Sequence, residues 1–543
     1  MILKYKIVVL FYLITTAGIN SQNTIGTINN TENAYDGYAL FTFQKETYLI
    51  NNCGQVINQW TSLYNSGKSV YVLENGNLLR ASSGPNPGNI AIPGIGGRIE
   101  LFDWDGNVLW DYVYSNTNAS QHHDIYPMPN GNVLVLAASI LTDTEAIQMG
   151  RKPENLEDNQ LYNEHILEIK QTGTDTADVI WRWDFKDHLI QDYDATKSNF
   201  GIVQDNHQLM DINFLGESNG SANWMHINSV QYNESLDQII LSSKKLSEIY
   251  IIDHSTTTAE AQTNSGGTYG KGGDLLYRWG NPISYKQGTT ADQKLFGQHY
   301  PHWIAEGALD AGKIILFNNG VNRANPYSEI NIINPPTSGP GIYNKDINEF
   351  FGPLNPDYVY GSPNNTDFYS PILSSAQVLP NNNILSCEGT SGRFFEIDRN
   401  NTIVWEYINP VSANGILTQG EAAQTNNVFR VKKYGLDYAA FTGRDLSPKP
   451  PIEKEYDLSN CNSLSVPQNS IQTLAIYPNP VKDILYISGS DLINKIEVYT
   501  NYGSKVKVSL NKNTLDMSSL SAGIYQIRIF YSEKITYSKI IKL

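Results

Sequence analysis

The chain has 543 residues, a formal net charge of −16 and only three cysteines. This acidic balance makes nucleic acid and anionic membrane surfaces unsuitable partners, so an anionic ligand would need a local cationic pocket. Three cysteines without a CxxC spacing permit one disulfide at most and argue against a zinc or redox site.

The N-terminal segment has the three-part layout of a secretory signal. Two lysines precede an apolar run over residues 7–13, and small and polar residues follow it. We therefore predict a signal peptide over residues 1–21, cleaved between Ala17 and Gln22, and export through the periplasm. No later segment has the roughly 20 apolar residues of a membrane-spanning helix, so no membrane span is predicted.

The body of the chain consists of short apolar stretches separated by tight turns. Asn-Gly, Asp-Gly and Pro-Asn pairs, which suit hairpin turns, recur throughout. An Asn-Gly-Asn turn or its variant is found at 74–79, 129–134 and 380–385, and a hairpin ending in tryptophan at 99–111 and 394–406. Such repeats predict an all-β fold, a six-bladed β-propeller over residues 22–445, with seven blades as the alternative count.

The repeats also give the predicted blade boundaries. Five blades are expected at 68–112, 122–185, 226–280, 299–333 and 375–408. A sixth would combine residues 41–60 with 427–434 and so join the two ends of the domain. Long polar insertions between blades gather on one face of a propeller, and we expect the functional site there.

A Pro-rich stretch over residues 446–470 predicts a stiff linker, and a small β-sandwich over 471–543 follows it. The order of Tyr477-Pro478-Asn479-Pro480, the Leu520–Tyr525 segment and the final apolar strand resembles the type A sorting domain of the type IX secretion system. This resemblance implies the secretion machinery as a partner, and a protein that is released or attached to the cell surface.

The three cysteines allow a choice of disulfide. Cys53 lies in the segment that should close the propeller, and Cys461 lies where the chain leaves it. Cys387 lies inside a strand pattern. We therefore predict the pair Cys53–Cys461.

All nine histidines lie between residues 122 and 302, and most of them begin a predicted blade. The innermost strand of a propeller blade comes first, so imidazoles from several blades would converge on the channel. Arg323 and Arg393 lie at turns that can reach inward. A guanidinium beside imidazoles suits a tetrahedral oxyanion such as a sulfuryl or phosphoryl group.

Longer motifs at 224–229, 232–253, 272–282, 296–299, 317–320 and 387–389 closely resemble bacterial aryl-sulfate sulfotransferases, and the likeness runs over most of residues 38–445. The resemblance implies a propeller that moves a sulfuryl group from an aryl sulfate ester to a phenol. It implies no nucleotide donor, metal or other cofactor, and a histidine that is sulfated during turnover.

The resemblance assigns catalytic roles to His226, His299 and Arg323. The residues expected to bind substrate are His122, His123, Asn228, His302 and Arg393. The other four histidines, at 165, 188, 207 and 254, are expected to be structural.

One part of the family pattern is missing. A further histidine, the one that is sulfated, is expected beyond Arg323 in the stretch matching residues 368–375, but no histidine follows His302. Either another histidine is the nucleophile, or the chain is a non-catalytic secreted propeller that binds sulfated or other anionic ligands. A third alternative, a hydrolase or lactonase, would need a calcium ringed by carboxylates.

Overall fold

The computed structural model describes residues 23–345, 350–362, 364, 366–462, 475–488, 493–500, 504–511, 514–531 and 534–543. The predicted signal peptide lies outside these residues. The chain divides into two compact units, Met1–Leu464 and Ser465–Leu543. Among the described residues, no helix has the length and apolar character needed to cross a membrane.

The described part of the first unit contains six antiparallel sheets of four or five strands, which confirms the all-β class. Their strands, in hydrogen-bonding order, are as follows: sheet 1, Ser66–Val72, Leu78–Ser83, Gly97–Phe102 and Val108–Val113; sheet 2, Ala177–Asp184, Gln160–Gln171, Val133–Thr142 and Ala119–Pro127; sheet 3, Ile227–Asn233, Gln238–Ser243, Glu248–Asp253 and Tyr277–Trp279; sheet 4, His299–Trp303, Ile314–Asn318, Glu329–Ile333 and Tyr358–Tyr360; sheet 5, Gly26–Asn30, Ile403–Ile408, Arg393–Ile397, Ile384–Glu388 and Ser375–Val378; sheet 6, Lys432–Gly435, Gly37–Phe43, Glu46–Ile50 and Val56–Thr61.

The remaining elements of this unit are short, and most lie in the polar insertions. They are the helices Asp143–Gln148 and Ser459–Asn462, the 3₁₀ turns Pro153–Asn155, Phe185–His188, Val203–Asp205, Gly216–Ser218, Glu260–Gln262, Pro282–Tyr285 and Ala439–Phe441, and the strand pairs Leu189–Ile190 with Met210–Asp211, Thr337–Gly339 with Ile342–Tyr343, and Val411–Ser412 with Gly415–Ile416.

Tight turns and buried tryptophans produce the repeating sheets. Gly76 and Gly131 adopt φ angles of +87° and +86° in the Asn-Gly turns, a conformation that favours glycine. The tryptophans of the outer strands are buried, and each donates its indole N–H to a backbone carbonyl beyond its own sheet: Trp60, Trp110, Trp183, Trp279 and Trp405. These side chains therefore pack five of the six sheets and bond each of those five to a segment beyond it.

Two connections join the N-terminal part of the first unit to its C-terminal part. Lys432–Gly435 pairs with Gly37–Phe43, which confirms the predicted sixth sheet, and Gly26–Asn30 pairs with Ile403–Ile408. A disulfide joins Cys53 to Cys461, as predicted, across 408 residues of sequence.

The predicted linker packs on the first unit for much of its length. The backbone N–H of Lys449 donates to the carbonyl of Val56 over 2.9 Å, and Pro451 forms a bridge with Gln55. Ile452 and Cys461 are buried. A Pro-rich composition is compatible with an extended segment in contact with a surface, so composition alone could not show that residues 449–461 are packed.

The second unit contains two four-stranded antiparallel sheets in its described residues. One orders Ala475–Tyr477, Ile484–Ser488, Thr514–Asp516 and Ser509–Asn511, and the other Lys505–Val506, Ile493–Thr500, Gly523–Tyr531 and Lys534–Lys542. Buried Leu485, Val498 and Ile527 contribute to one hydrophobic core. This unit has the small all-β character expected for residues 471–543.

We expect the Cys53→Ser and Cys461→Ser variants to lower the free energy of unfolding by about 2–4 kcal/mol, because the disulfide restricts the unfolded chain. Denaturant unfolding of the full chain measures the loss. The double variant should match either single one, since all three remove the same bond. An additive double variant, or a wild type whose stability does not respond to reducing agent, would contradict this role.

Candidate active site

The first strands of neighbouring sheets meet around a buried centre. Ala119–Pro127 of sheet 2 contacts Ser66–Val72 of sheet 1 and Ile227–Asn233 of sheet 3, which in turn contacts His299–Trp303 of sheet 4. Asp124, fully buried, lies at this junction. Residues at the start of these strands therefore lie close together although they are far apart in sequence.

Irregular backbone at the beginning of these strands directs the side chains. Each of the first strands of sheets 1 to 4 carries a shift of pairing register. Positive φ angles occur at Lys68, His123, His226 and Tyr300, at or directly before these strands. Bulges re-aim side chains, and positive φ at residues other than glycine is strained, a combination common at functional sites.

We call His122, His123, His226 and His299 the histidine cluster. The ring centroids of His123 and His226 are 4.8 Å apart, and those of His122 and His123 are 5.2 Å apart. The rings of His123 and His299 lie 6.2 and 6.4 Å from the ring of Phe429. The structure thus brings two predicted catalytic histidines together with two predicted binding histidines.

Burial lowers the pKa of three histidines of the cluster. For His299, burial is the largest effect, Lys244 and Arg430 act in the same direction, and the hydrogen bond to Asn319 opposes them, which gives a pKa of about 3. Burial, followed by neighbouring cationic and imidazole groups, also holds the pKa of His123 and His226 well below the usual value. At neutral pH the rings of His123, His226 and His299 are therefore uncharged, and each has one nitrogen that carries a lone pair.

The tautomer of His299 is fixed by Asn319. The side-chain amide N–H groups of Asn319 donate to the carbonyls of Ser370 and Leu373 over 2.7 and 3.0 Å. The amide oxygen therefore faces His299 and accepts from its Nδ1 over 2.7 Å. The proton is held on Nδ1, and Nε2 of His299 is left with the lone pair.

The carboxylate of Glu164 lies beside His122 of the cluster. Nε2 of His122 lies 2.7 Å from a carboxylate oxygen of Glu164, and Nδ1 of His122 lies 2.9 Å from Nδ1 of His123. The His122–Glu164 contact is a close approach without hydrogen-bond geometry, whereas the two Nδ1 atoms share one proton, since a hydrogen bond between them needs one donor and one acceptor. Gly94 has no side chain to fill the space beside Nε2 of His123, since a Cβ would come within 2.7 Å of that nitrogen.

Cationic side chains surround the cluster. Lys68 lowers the pKa of His123, after the effects of burial and of the other imidazoles, and Lys244 acts on both His226 and His299. Arg430 also lowers the pKa of His299. The site therefore combines neutral imidazoles with nearby positive charge, an arrangement suited to an oxyanion.

The two predicted arginines lie apart from the cluster. Arg323 donates to Glu329 over 2.6 Å and to the carbonyl of Tyr327 over 3.1 Å, between the rings of Phe296 and Tyr327. It lines a cavity of about 650 Å³ that has no histidine in its wall.

Arg393 donates to two carboxylates, those of Glu388 and Glu406, over 2.9 and 2.6 Å. Its described contacts make an ion-pair network rather than a contact with the cluster.

Two other predicted binding residues have positioning contacts. Asn228, fully buried, donates to the carbonyl of Gln298 over 2.8 Å and so links sheet 3 to the backbone before His299. His302 donates from Nδ1 to the carbonyl of Tyr300 over 3.1 Å, and its ring packs on that tyrosine.

The histidines expected to be structural have partners outside the cluster. His165 contacts the hydroxyl of Tyr114, and His188 contacts Asp274. His254 bonds to Asp237 and Glu168 over 2.6 and 3.1 Å. Burial opposes its charge, but these carboxylates raise the pKa of His254 to about 9.

Sequence reasoning missed Asn319, Glu164 and Arg430. Asn319 belongs to the turn motif in which Arg323, and not Asn319, was predicted to be functional. Glu164 lies within a long strand, and no motif distinguishes it there. Arg430 precedes the first strand of sheet 6 and is buried in the structure. The available sequence signal was a single arginine between two apolar residues, Phe429 and Val431.

Comparison with known proteins identifies this architecture. Residues 13–432 match the arylsulfotransferase family, and residues 475–543 match the secretion system C-terminal sorting domain. The chain belongs to the arylsulfotransferase family. The sorting domain indicates type IX secretion and a surface or extracellular location.

Arylsulfate sulfotransferase AssT of Escherichia coli O6:H1 is 25% identical over 320 residues, which cover 54% of this chain and 49% of the relative. The chain thus spans about half the length of this curated relative. Among solved structures, Pseudomonas aeruginosa periplasmic gluconolactonase has 8% identity over 74% of this chain and 99% of its own, with a TM-score of 0.34. Virginiamycin B lyase of Staphylococcus aureus has 12% identity over 76% and 99%, with a TM-score of 0.29. Scores this low carry no structural or functional argument.

We expect imidazole NMR titration of the full chain to separate two classes of histidine. His299 should stay neutral to about pH 4, because its folded pKa of about 3 lies below the unfolded value. Its contribution to stability is then present above pH 6.5 and is lost as the pH falls toward 3. His254 should stay protonated to about pH 8, with its contribution lost as the pH rises through 9. Midpoints near 6.5 for both residues would contradict the assigned environments.

Proposed function

We propose that this protein is an exported aryl-sulfate sulfotransferase that transfers a sulfuryl group between phenols through His299. The six sheets are taken as the blades of a six-bladed propeller, with the histidine cluster in its channel. Membership of the arylsulfotransferase family supports the reaction class. The observation that carries the mechanism is the Asn319 hydrogen bond, which leaves the lone pair of His299 on Nε2.

In the first half-reaction, Nε2 of His299 attacks the sulfur of the aryl sulfate. The N–S bond forms while the S–O bond to the aryl group breaks, and the electron pair leaves with the phenolate. The ordinary pKa of a phenol is about 10, so the leaving phenolate takes up a proton at neutral pH. In the second half-reaction an acceptor phenol attacks the sulfur, and the N–S bond breaks to restore the lone pair on Nε2.

The acceptor phenol must lose its proton, and we propose His123 as the base that receives it, with the proton between the two Nδ1 atoms on His123. Protonation at Nε2 then makes His123 cationic, and the carboxylate of Glu164, 2.7 Å from His122, can stabilise that charge. His123 can then return the proton to the next leaving phenolate, so the cycle is balanced.

His226 has a complementary role. The side-chain N–H of Asn223 donates to Nδ1 of His226 over 2.9 Å, which places the His226 proton on Nε2. This N–H can donate to a sulfuryl oxygen, and Lys68, Lys244 and Arg430 supply positive charge nearby. The anionic charge of the transferring group is thereby stabilised without a metal.

The alternative is a non-catalytic module in which the same cationic, imidazole-lined site binds sulfated ligands. It is favoured by residues 368–375, which contain no histidine although the family resemblance leads us to expect one there. The hydroxyls of Ser370 and Ser374 in this stretch bond to each other over 2.9 Å and offer no imidazole. Turnover of a chromogenic aryl sulfate that requires a phenol acceptor separates transfer from binding.

We also propose the route of export. A signal peptide over residues 1–21 would carry the chain to the periplasm, and the sorting domain would direct it across the outer membrane. The presence of the C-terminal sorting domain supports this order of steps.

We expect His299→Gln to abolish the acceptor-dependent release of 4-nitrophenol from 4-nitrophenyl sulfate, because no nucleophile remains. Asn319→Leu should lower kcat by about 10- to 100-fold, since it removes the bond that fixes the tautomer. Mass mapping after incubation with the donor alone should find the sulfuryl group on His299.

The matched control is His207→Gln, a half-buried histidine beside Phe351, which should retain wild-type turnover. Full activity of His299→Gln, or a sulfuryl group trapped on a different residue, would overturn the assignment of the nucleophile. Nitrophenol release that is independent of the acceptor would overturn transfer itself.

We expect Lys244→Met to lower kcat/KM for the aryl sulfate by about 100-fold, because it removes a charge near His226 and His299. Arg323→Met should have a much smaller effect, because the Arg323 guanidinium pairs with Glu329 in a separate cavity. Steady-state kinetics with thermal unfolding as a folding control measures both. The reverse order of effects would restore the sequence-based role of Arg323 in holding the sulfuryl oxygens.

A further inference from the structure

A second cavity, of about 570 Å³, lies at the other end of the first strands. The residues that give it its character are Tyr71, Trp110, Tyr126, Lys432, Tyr434 and Tyr438. This volume is in the range of small-molecule sites. Its wall is therefore rich in aromatic rings and contains one lysine.

The cavity is separate from the histidine cluster. Ala119–Pro127 carries His123 at its middle, whereas Tyr126 and Pro127 at its end line the cavity. Three residues of extended strand correspond to roughly 10 Å. Between the two sites lies the ion pair of Asp124 and Arg430, at 2.9 Å.

Tyr71 belongs to both sides of this boundary. Its hydroxyl accepts from Arg430 over 3.0 Å, while the residue also lines the cavity. Asp124 and Arg430 themselves do not line the cavity, so their ion pair separates its aromatic wall from the histidine cluster.

Lys432 is the unusual member of the wall. Along its strand it alternates with Lys433, whose amino group pairs with Glu396 over 3.0 Å on the other side. Among the described residues, no carboxylate oxygen lies within 4 Å of the Lys432 amino group, which is 5.0 and 5.6 Å from the ring centroids of Tyr71 and Tyr434.

The surroundings of Lys432 disfavour the charged form of its amino group. Burial and then the neighbouring charge of Arg430, opposed by Asp124, lower the pKa of Lys432 to about 8. A bound anion would offset both effects, while the rings would cover an aromatic group.

We propose that this cavity binds a small aromatic carboxylate, with the ring on the tyrosines and the carboxylate on Lys432. Glu74 and Glu234 also line the cavity and disfavour ligands that carry several negative charges. Recognition combines the lysine ion pair with aromatic packing, and neither element is part of the histidine chemistry. The proposal stands independently of the proposed transferase activity.

Isothermal titration of the full chain with benzoate tests the site. Benzoate should bind more tightly than cyclohexanecarboxylate, and benzyl alcohol, which lacks the charge, should bind far more weakly. Lys432→Met should weaken benzoate binding by at least about tenfold, whereas Lys432→Arg should retain most of it. Lys45→Met, at an exposed turn of the same sheet, is the matched control and should bind as the wild type does.

Two outcomes would overturn the proposal. Equal affinity in Lys432→Met and wild type would show that the lysine does not hold the anion. Loss of binding in His226→Asn but not in Lys432→Met would place benzoate in the histidine cluster. If Lys432→Met does not fold, crystals of the wild type soaked with benzoate decide the matter, since density beside Lys432 supports the site and its absence there rejects it.

Discussion

The buried ion pair of Asp124 and Arg430 is the interaction on which the centre of the first unit depends. Asp124 accepts both terminal guanidinium nitrogens of Arg430, and it also accepts the backbone N–H of Val230. Tyr71 of sheet 1 and Gln231 of sheet 3 bond to the same pair of residues. Four sheets therefore converge on two opposite charges. Removing one partner of a buried pair leaves an uncompensated charge, so the loss of either Asp124 or Arg430 alone should strongly destabilise the centre of the unit.

The charge of Arg430 in this ion pair also affects pKa values in two different sites. Its guanidinium lowers the pKa of His299 on one side and of Lys432 on the other, in each case after the larger effect of burial. A neutral imidazole is the form that can act as a nucleophile, whereas a partly discharged lysine is stabilised by a bound anion. On the two proposals made above, one buried charge thus influences the chemistry at one end of the strands and ligand binding at the other end.

Turn chemistry allowed the sequence to predict most strands of the sheets and the pairing that joins the two ends of the first unit. It did not predict Tyr358–Tyr360 as the last strand of sheet 4, because a long polar stretch separates this strand from the predicted end of that blade at residue 333. It could not predict which side chains share a site. The register shifts and positive φ angles at His123 and Tyr300 change side-chain direction within one or two residues, and alternation of apolar residues does not record them. Arg323 follows a turn in the expected motif, but its guanidinium pairs with the carboxylate of Glu329 in a cavity that has no histidine in its wall. Asn319, four positions earlier, contacts His299 instead.

Residues 368–375 lack the histidine expected from the family resemblance, but they still act on the histidine cluster through Asn319. The carbonyls of Ser370 and Leu373 accept both amide N–H groups of Asn319 and so force its oxygen toward His299. Leu373, with a φ of +61°, adopts a backbone conformation that side-chain-bearing residues rarely take. Hence the segment that lacks an imidazole still acts on the cluster, because its backbone determines which nitrogen of His299 is free. On the proposed mechanism, the nucleophile moves from this segment to sheet 4, and the segment becomes the support that orients it.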